Sequence, residues 1–171
     1  MGSSDHPIHQ RARDTAARLL DGADRRPRVG MLLGTGHASI ANQLKDKRSI
    51  RHDDLPDGLK FAQESPLLFG VLEDVSVVLA DAPLASYEGG SAADLTYPVR
   101  VIRAMGAEVL LLTAAGTSLT RQLEPGNIAV IEDHLNWSGV HPLQVPYDEN
   151  LGPRFPDMSD PYDERLRDTA R

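Results

Sequence analysis

Gly34, Thr35 and Gly36 separate an apolar run at 28–33 from a helix-like stretch at 37–44, an order of residue types suited to holding an anion. A strand that stops at a glycine turn before a helix start points successive backbone N–H groups at one spot, where negative charge is stabilised. Glycine lets the chain turn with positive φ and lets a ligand approach the backbone, and Thr35 adds a hydroxyl. The turn is not a nucleotide fingerprint. Ser39 stands where a dinucleotide-binding turn has its third glycine, and the Walker lysine is absent. On its own, such a turn is more often a plain βα connection. A second stretch, 79–90, follows an expected strand and carries the turn Tyr87-Glu88-Gly89, yet holds no arginine, lysine or histidine. An anion docking there finds no cation.

Other reactive residues are sparser. Asp133, His134 and Asn136 suit a metal site or an acid–base pair, but such a cluster at a strand end is more often loop-forming. His37 and His141 stand alone without ligand spacing. Asp157, Asp160 and Asp163 recur every three residues before a helix start, where carboxylates complement the dipole. Ser118 lies outside any nucleophile-elbow pattern, and cysteine is absent. No metal site and no cofactor are expected.

The elements that must position these residues alternate. Helical spacing runs through Ile8, Ala12, Ala16, Leu19 and Leu20 over 7–22, with Pro7 suited to the first turn. Strands are expected near 28–33, 67–72, 75–80, 108–113 and 127–132, mostly as apolar runs of the kind buried on both sheet faces. The pair 67–72 and 75–80, joined by Glu73 and Asp74, reads as a hairpin, and 92–105 as a crossover helix closed by Gly106. The segments 51–65 and 138–157 are long loops, of the kind that serve sites or interfaces. Asp160 and Pro161 predict an N-cap and first turn for a final helix over 162–171. The expectation is one α/β domain over 1–171, a mostly parallel or mixed central sheet flanked by helices, with 1–27 as an N-terminal helix.

Composition narrows the function classes. With 171 residues, 40% apolar side chains and a formal charge of −7, the chain is long enough to bury a core. Its acidity and scattered basic residues argue against a nucleic-acid partner. Neither a signal-peptide core near Met1 nor a membrane-length apolar run is present, so a cytoplasmic location is expected and no membrane partner.

The order of segments is more specific than any one of them. Tyr87-Glu88-Gly89 is followed by Thr96-Tyr-Pro-Val-Arg-Val101, by Leu112-Thr-Ala-Ala-Gly-Thr117, by 125–136 from Pro125-Gly126 to Asp133-His134-Leu135-Asn136, and by 152–163. Over 28–171 this resembles the trimeric-class purine nucleoside phosphorylases and their methylthioadenosine phosphorylase relatives. The resemblance implies a nucleoside phosphorylase-like fold and a pentosyltransferase, which cleaves a purine nucleoside with phosphate to free base and ribose 1-phosphate. It further implies phosphate binding at Thr35 and at the Ala114 backbone, and ribose binding at Tyr87.

Three family ligands are replaced. The Gly-Arg-x-His that precedes Tyr-Glu-Gly in the family falls on Ala82-Pro83-Leu84-Ala85, so Pro83 and Ala85 take the places of an arginine and a histidine. Gln63 falls where a second histidine belongs, and Leu151 where an aromatic residue reaches a neighbouring subunit. The family chain runs on by roughly a hundred residues, with the base-recognising glutamate and asparagine, so the expectation is an N-terminal part whose phosphorolysis is impaired and whose catalytic residues are unknown. Two other outcomes stay open: a site repurposed for a neutral small molecule, and a non-catalytic or complementing subunit. A homo-oligomer, a trimer by resemblance, is expected.

Overall fold

The computed structural model describes residues 7–56, 59, 61, 65–81, 91–144 and 152–171. The chain divides into two units, Met1–Ala115 and Gly116–Arg171.

In the first unit, α1 (Pro7–Leu20) buries Ala12, Ala16 and Leu19 along one stripe. Five strands follow: β1 (Val29–Leu33), β2 (Lys45–Ile50), β3 (Leu67–Leu72), β4 (Val75–Asp81) and β5 (Val109–Leu112). They lie in the order β2-β3-β4-β1-β5; β1 is parallel to both β4 and β5, while β2–β3 and β3–β4 are antiparallel. The sheet is therefore mixed. The expected β3–β4 hairpin is present, with Glu73 and Asp74 at φ 46° and 65°, the positive pair that matches strand twist in a two-residue turn.

The crossover helix α2 (Ala92–Ala104) starts in a capping box, Ser91 Oγ accepting from Asp94 N–H and the Asp94 carboxylate from Ser91 N–H, and gives way to Gly106 at φ 106°. It packs with α1 on the sheet face bearing Leu32, Phe69, Val78 and Ala80. Gly30 is required at that crossing, because a Cβ there would lie 2.2 Å from Ile102 Cγ2. The opposite face buries Met31, Leu33, Leu68, Val77 and Leu79 beneath Leu44.

Thr15 is the one polar side chain buried in this core among the described residues; its hydroxyl meets Tyr97 Oη at 2.8 Å, and Tyr97 Oη donates to the Arg11 carbonyl at 3.2 Å. Tyr97→Phe strands the Thr15 hydroxyl, so a loss of about 1–2 kcal/mol is expected from urea unfolding. Adding Thr15→Val to that variant should recover part of the loss, and an unchanged midpoint in the single variant would argue that the bond contributes nothing.

Two expectations in this unit are corrected. The stretch 37–44 forms only a 3-10 helix, Ala38–Gln43, without a side-chain cap, and the chain then enters β2. That strand, Lys-Asp-Lys-Arg-Ser-Ile, is largely exposed at the sheet edge, where charge discourages pairing with other chains and erases the apolar signature of a strand. The loop 51–65 also contains a short 3-10 helix, His52–Asp54.

The second unit holds no strand among its described residues, so the strand expected at 127–132 is absent; Ile128 and Ile131 are exposed, and an apolar run without a neighbouring ladder has nothing to pair with. The one helix among its described residues, α3 (Glu164–Ala170), begins later than expected. Asp163, not Asp160, is its N-cap and accepts from Leu166 N–H, while Asp160 instead pairs with Arg167 at 3.0 Å.

Candidate functional site

The C-terminal ends of β4, β1 and β5 lie side by side, with Leu33 opposite Asp81 and Leu32 opposite Leu112. The chain leaves β1 towards one sheet face, where Ile40 and Ala41 pack against Met31 and Leu33, while α2, which follows β4, covers the other. Where neighbouring parallel strands send their connections to opposite faces, a crevice opens at their carboxyl ends. The 34–36 turn lies at the rim of that crevice.

Gly34 fixes the turn against the end of β5. Its N–H donates to both the carbonyl oxygen (3.0 Å) and Oγ1 (2.9 Å) of Thr113, and Thr113 N–H donates back to the Leu32 carbonyl at 3.0 Å. The backbones approach so closely that a Cβ on Gly34 would stand 2.7 Å from Thr113 O and 3.0 Å from Ala114 Cα. Gly36 takes φ 96° in open space, a glycine conformation. Thr35 and Ala114 are both exposed beside this junction. Thus two of the sequence-derived positions, Thr35 and Ala114, are joined through Gly34 and Thr113, which lie 79 residues apart in the chain. Tyr87, Gln63, Pro83, Ala85 and Leu151 lie outside the described residues.

His37 also belongs to this junction, contrary to its reading as an isolated histidine. Its Nδ1 lies 3.2 Å from Thr113 Oγ1, and the residue is partly buried. No spacing rule reveals such a pair, because Thr113 reaches His37 only through β1–β5 pairing.

In the second unit the polar cluster is largely loop-forming. Asp133 Oδ1 accepts from His134 N–H at 2.8 Å, Asn136 bridges Ser138 and the Val140 carbonyl, and His141 Nδ1 accepts from Leu143 N–H. His134 Nε2 is hydrogen-bonded to the Tyr162 hydroxyl, with tilted rings 5.3 Å apart. The Ser159 hydroxyl and N–H hold the Asp157 carboxyl below its usual range, and Leu166 N–H does the same for Asp163, as expected for a cap. Among the described residues no group of three or more His, Cys, Asp or Glu is placed to hold a metal ion, and no helix is long and apolar enough to cross a membrane. An apolar hollow of about 200 Å³ between α2 and the start of β5, bounded by Ile102, Arg103, Glu108 and Leu110, lies at the other end of the strand from Thr113.

Residues 28–171 match the family described as the phosphorylase superfamily. Purine nucleoside phosphorylase 1 of Geobacillus stearothermophilus is 38% identical over 148 residues, covering 85% of this chain and 54% of the relative. The corresponding Bacillus subtilis protein is 33% identical over 95% of this chain and 61% of its own length, and bovine purine nucleoside phosphorylase 35% identical over 92% and 56%. A crystal structure of schistosoma purine nucleoside phosphorylase with hypoxanthine superposes with a TM-score of 0.88 at 29% identity, over 94% of this chain and 59% of that one. A purine nucleoside phosphorylase in complex with ribose 1-phosphate gives the same TM-score at 28% identity, over 94% and 62%. The chain thus spans a little over half the length of the curated relatives it matches. With a match that begins at the first strand and runs through both units, and a sheet shared with solved relatives, the chain belongs to the phosphorylase superfamily, among the purine nucleoside phosphorylases.

Proposed function

We propose that this chain carries the phosphate and ribose side of a purine nucleoside phosphorylase site in weakened form, with 1–171 serving as one nucleoside phosphorylase-like domain in a cytoplasmic homo-oligomer, a trimer by resemblance. The observation that carries the reading is the Gly34–Thr113 junction, which brings the 34–36 turn and the backbone at Ala114 to one strand-end crevice. Thr35 and the Ala114 N–H would hold phosphate beneath the anomeric carbon, and Tyr87 would line the ribose. In the family reaction a phosphate oxygen bonds to that carbon as the C–N bond breaks, and the purine leaves with the bonding electrons. Positioning and preorganised donors lower such a barrier, so the places taken by Gln63, Pro83 and Ala85 impair it.

Titration of the pure protein with orthophosphate is the test. Affinity no tighter than millimolar is expected, with the amide resonances of Gly34, Thr35 and Ala114 moving together. Micromolar affinity would mean that the clamp is intact by other means, and silence at those amides would remove the cradle altogether.

A second reading has its own observation. Leu119, Ile128, Leu135, Trp137 and Phe155 are almost fully exposed, and a complementing subunit that covers them is the reading this exposure favours. The apolar Pro83, Leu84 and Ala85 would in turn suit a neutral small molecule.

A further inference from the structure

We infer that His37 is a phosphate ligand of this site, its ring held by Thr113 so that Nε2–H serves as the side-chain donor in place of the family's replaced residues; the inference rests on the reading of 34–36 as a phosphate cradle. His37 directly follows the glycine turn and precedes the 3-10 helix, with φ −107° and ψ 5°, so its position is set by the turn itself. Its side chain is tied to the end of the neighbouring strand by the 3.2 Å contact between Nδ1 and Thr113 Oγ1.

Thr113 Oγ1 accepts the Gly34 N–H at 2.9 Å and still carries one proton to give; donated to Nδ1, 3.2 Å away, that proton sets the tautomer this role requires. A neutral imidazole that accepts at Nδ1 carries its proton on Nε2, across the ring from Thr113. Among the described residues Nε2 has no hydrogen-bond partner, whereas His141 and His134 spend their described ring contacts on a loop amide and on Tyr162. The same junction that aims the Gly34 turn therefore also presents a ring N–H. Neither 62–65 nor 79–90 contains an arginine, lysine or histidine, so the sequence supplies no cation at the positions the resemblance assigns.

The experiment follows the isotopically labelled full chain by NMR as orthophosphate, and separately ribose 1-phosphate, is added. For the unmodified protein a saturating millimolar response is expected at the Gly34 and Thr35 amides and at His37 Nε2. His37→Ala should weaken orthophosphate binding about tenfold, the size of one hydrogen bond to a charged group, with the amide spectrum of the rest of the first unit unchanged. His37→Gln, which keeps an N–H donor at similar reach, should restore part of it. Equal losses for orthophosphate and ribose 1-phosphate assign the contact to the phosphate group, while a loss confined to ribose 1-phosphate would overturn that assignment. Unchanged affinity in His37→Ala would overturn the role of His37 and leave the cradle standing. No response of the 34–36 amides in the unmodified protein at tens of millimolar would overturn the cradle, and the inference with it.

Discussion

Mixed with inosine and orthophosphate, the 171-residue chain is expected to release hypoxanthine at least about a hundredfold more slowly than an ordinary enzyme, whose turnover is about 1 to 1000 per second. The resemblance assigns an arginine and two histidines to positions that here carry Pro83, Ala85 and Gln63. A hydrogen bond to a charged group contributes about 1.5–3 kcal/mol, and three at the lower end come to about 4.5 kcal/mol, or some three powers of ten at 1.36 kcal/mol each. One donor at His37 offsets a single such contact. Pro83→Arg with Ala85→His should therefore tighten phosphate binding without restoring full turnover, because the place taken by Gln63 stays unfilled. Coupled detection of hypoxanthine at an ordinary rate would show that other residues have taken over the clamp.

The fold was legible where burial on both faces leaves an unbroken apolar run. Val29–Leu33 and Val77–Ala80 are such runs and lie in the central parallel pair, and the hairpin joined by Glu73 and Asp74 was visible in the spacing of its two strands. Legibility failed where the pattern depends on what lies alongside. Lys45–Ile50 is a strand because β3 pairs with it, not because of its own charged residues, and the apolar 127–132 is not a strand because no described segment pairs with it. The final helix was misplaced by one candidate cap: Asp160-Pro161 satisfies the local rule, yet Asp163 makes the bond to Leu166 N–H and frees Asp160 for Arg167. At the site, the 34–36 turn was readable from its glycines. The partners of that turn were not, since Gly34, His37 and Thr113 meet only after α2 has carried the chain across the sheet.

Gly34→Ala is expected to lower the stability of the first unit by at least about 2 kcal/mol and to remove the orthophosphate response, because the new Cβ would meet Thr113 O at 2.7 Å and Ala114 Cα at 3.0 Å. Both are backbone atoms, which no rotamer change moves aside. Relief requires the ends of β1 and β5 to part, and that lengthens the Gly34 N–H bonds to Thr113 O and Oγ1 and pulls His37 from its anchor. Gly36→Ala separates strain from contact. Its φ of 96° disfavours a side chain, but nothing lies within 4 Å of a Cβ there, so a cost of about 1 kcal/mol and a surviving phosphate response are expected. Urea unfolding gives the first quantity and the Thr35 and Ala114 amide shifts the second. Equal stability losses in the two variants, or a phosphate response that survives in Gly34→Ala, would mean that the junction with Thr113 is not what holds the site together.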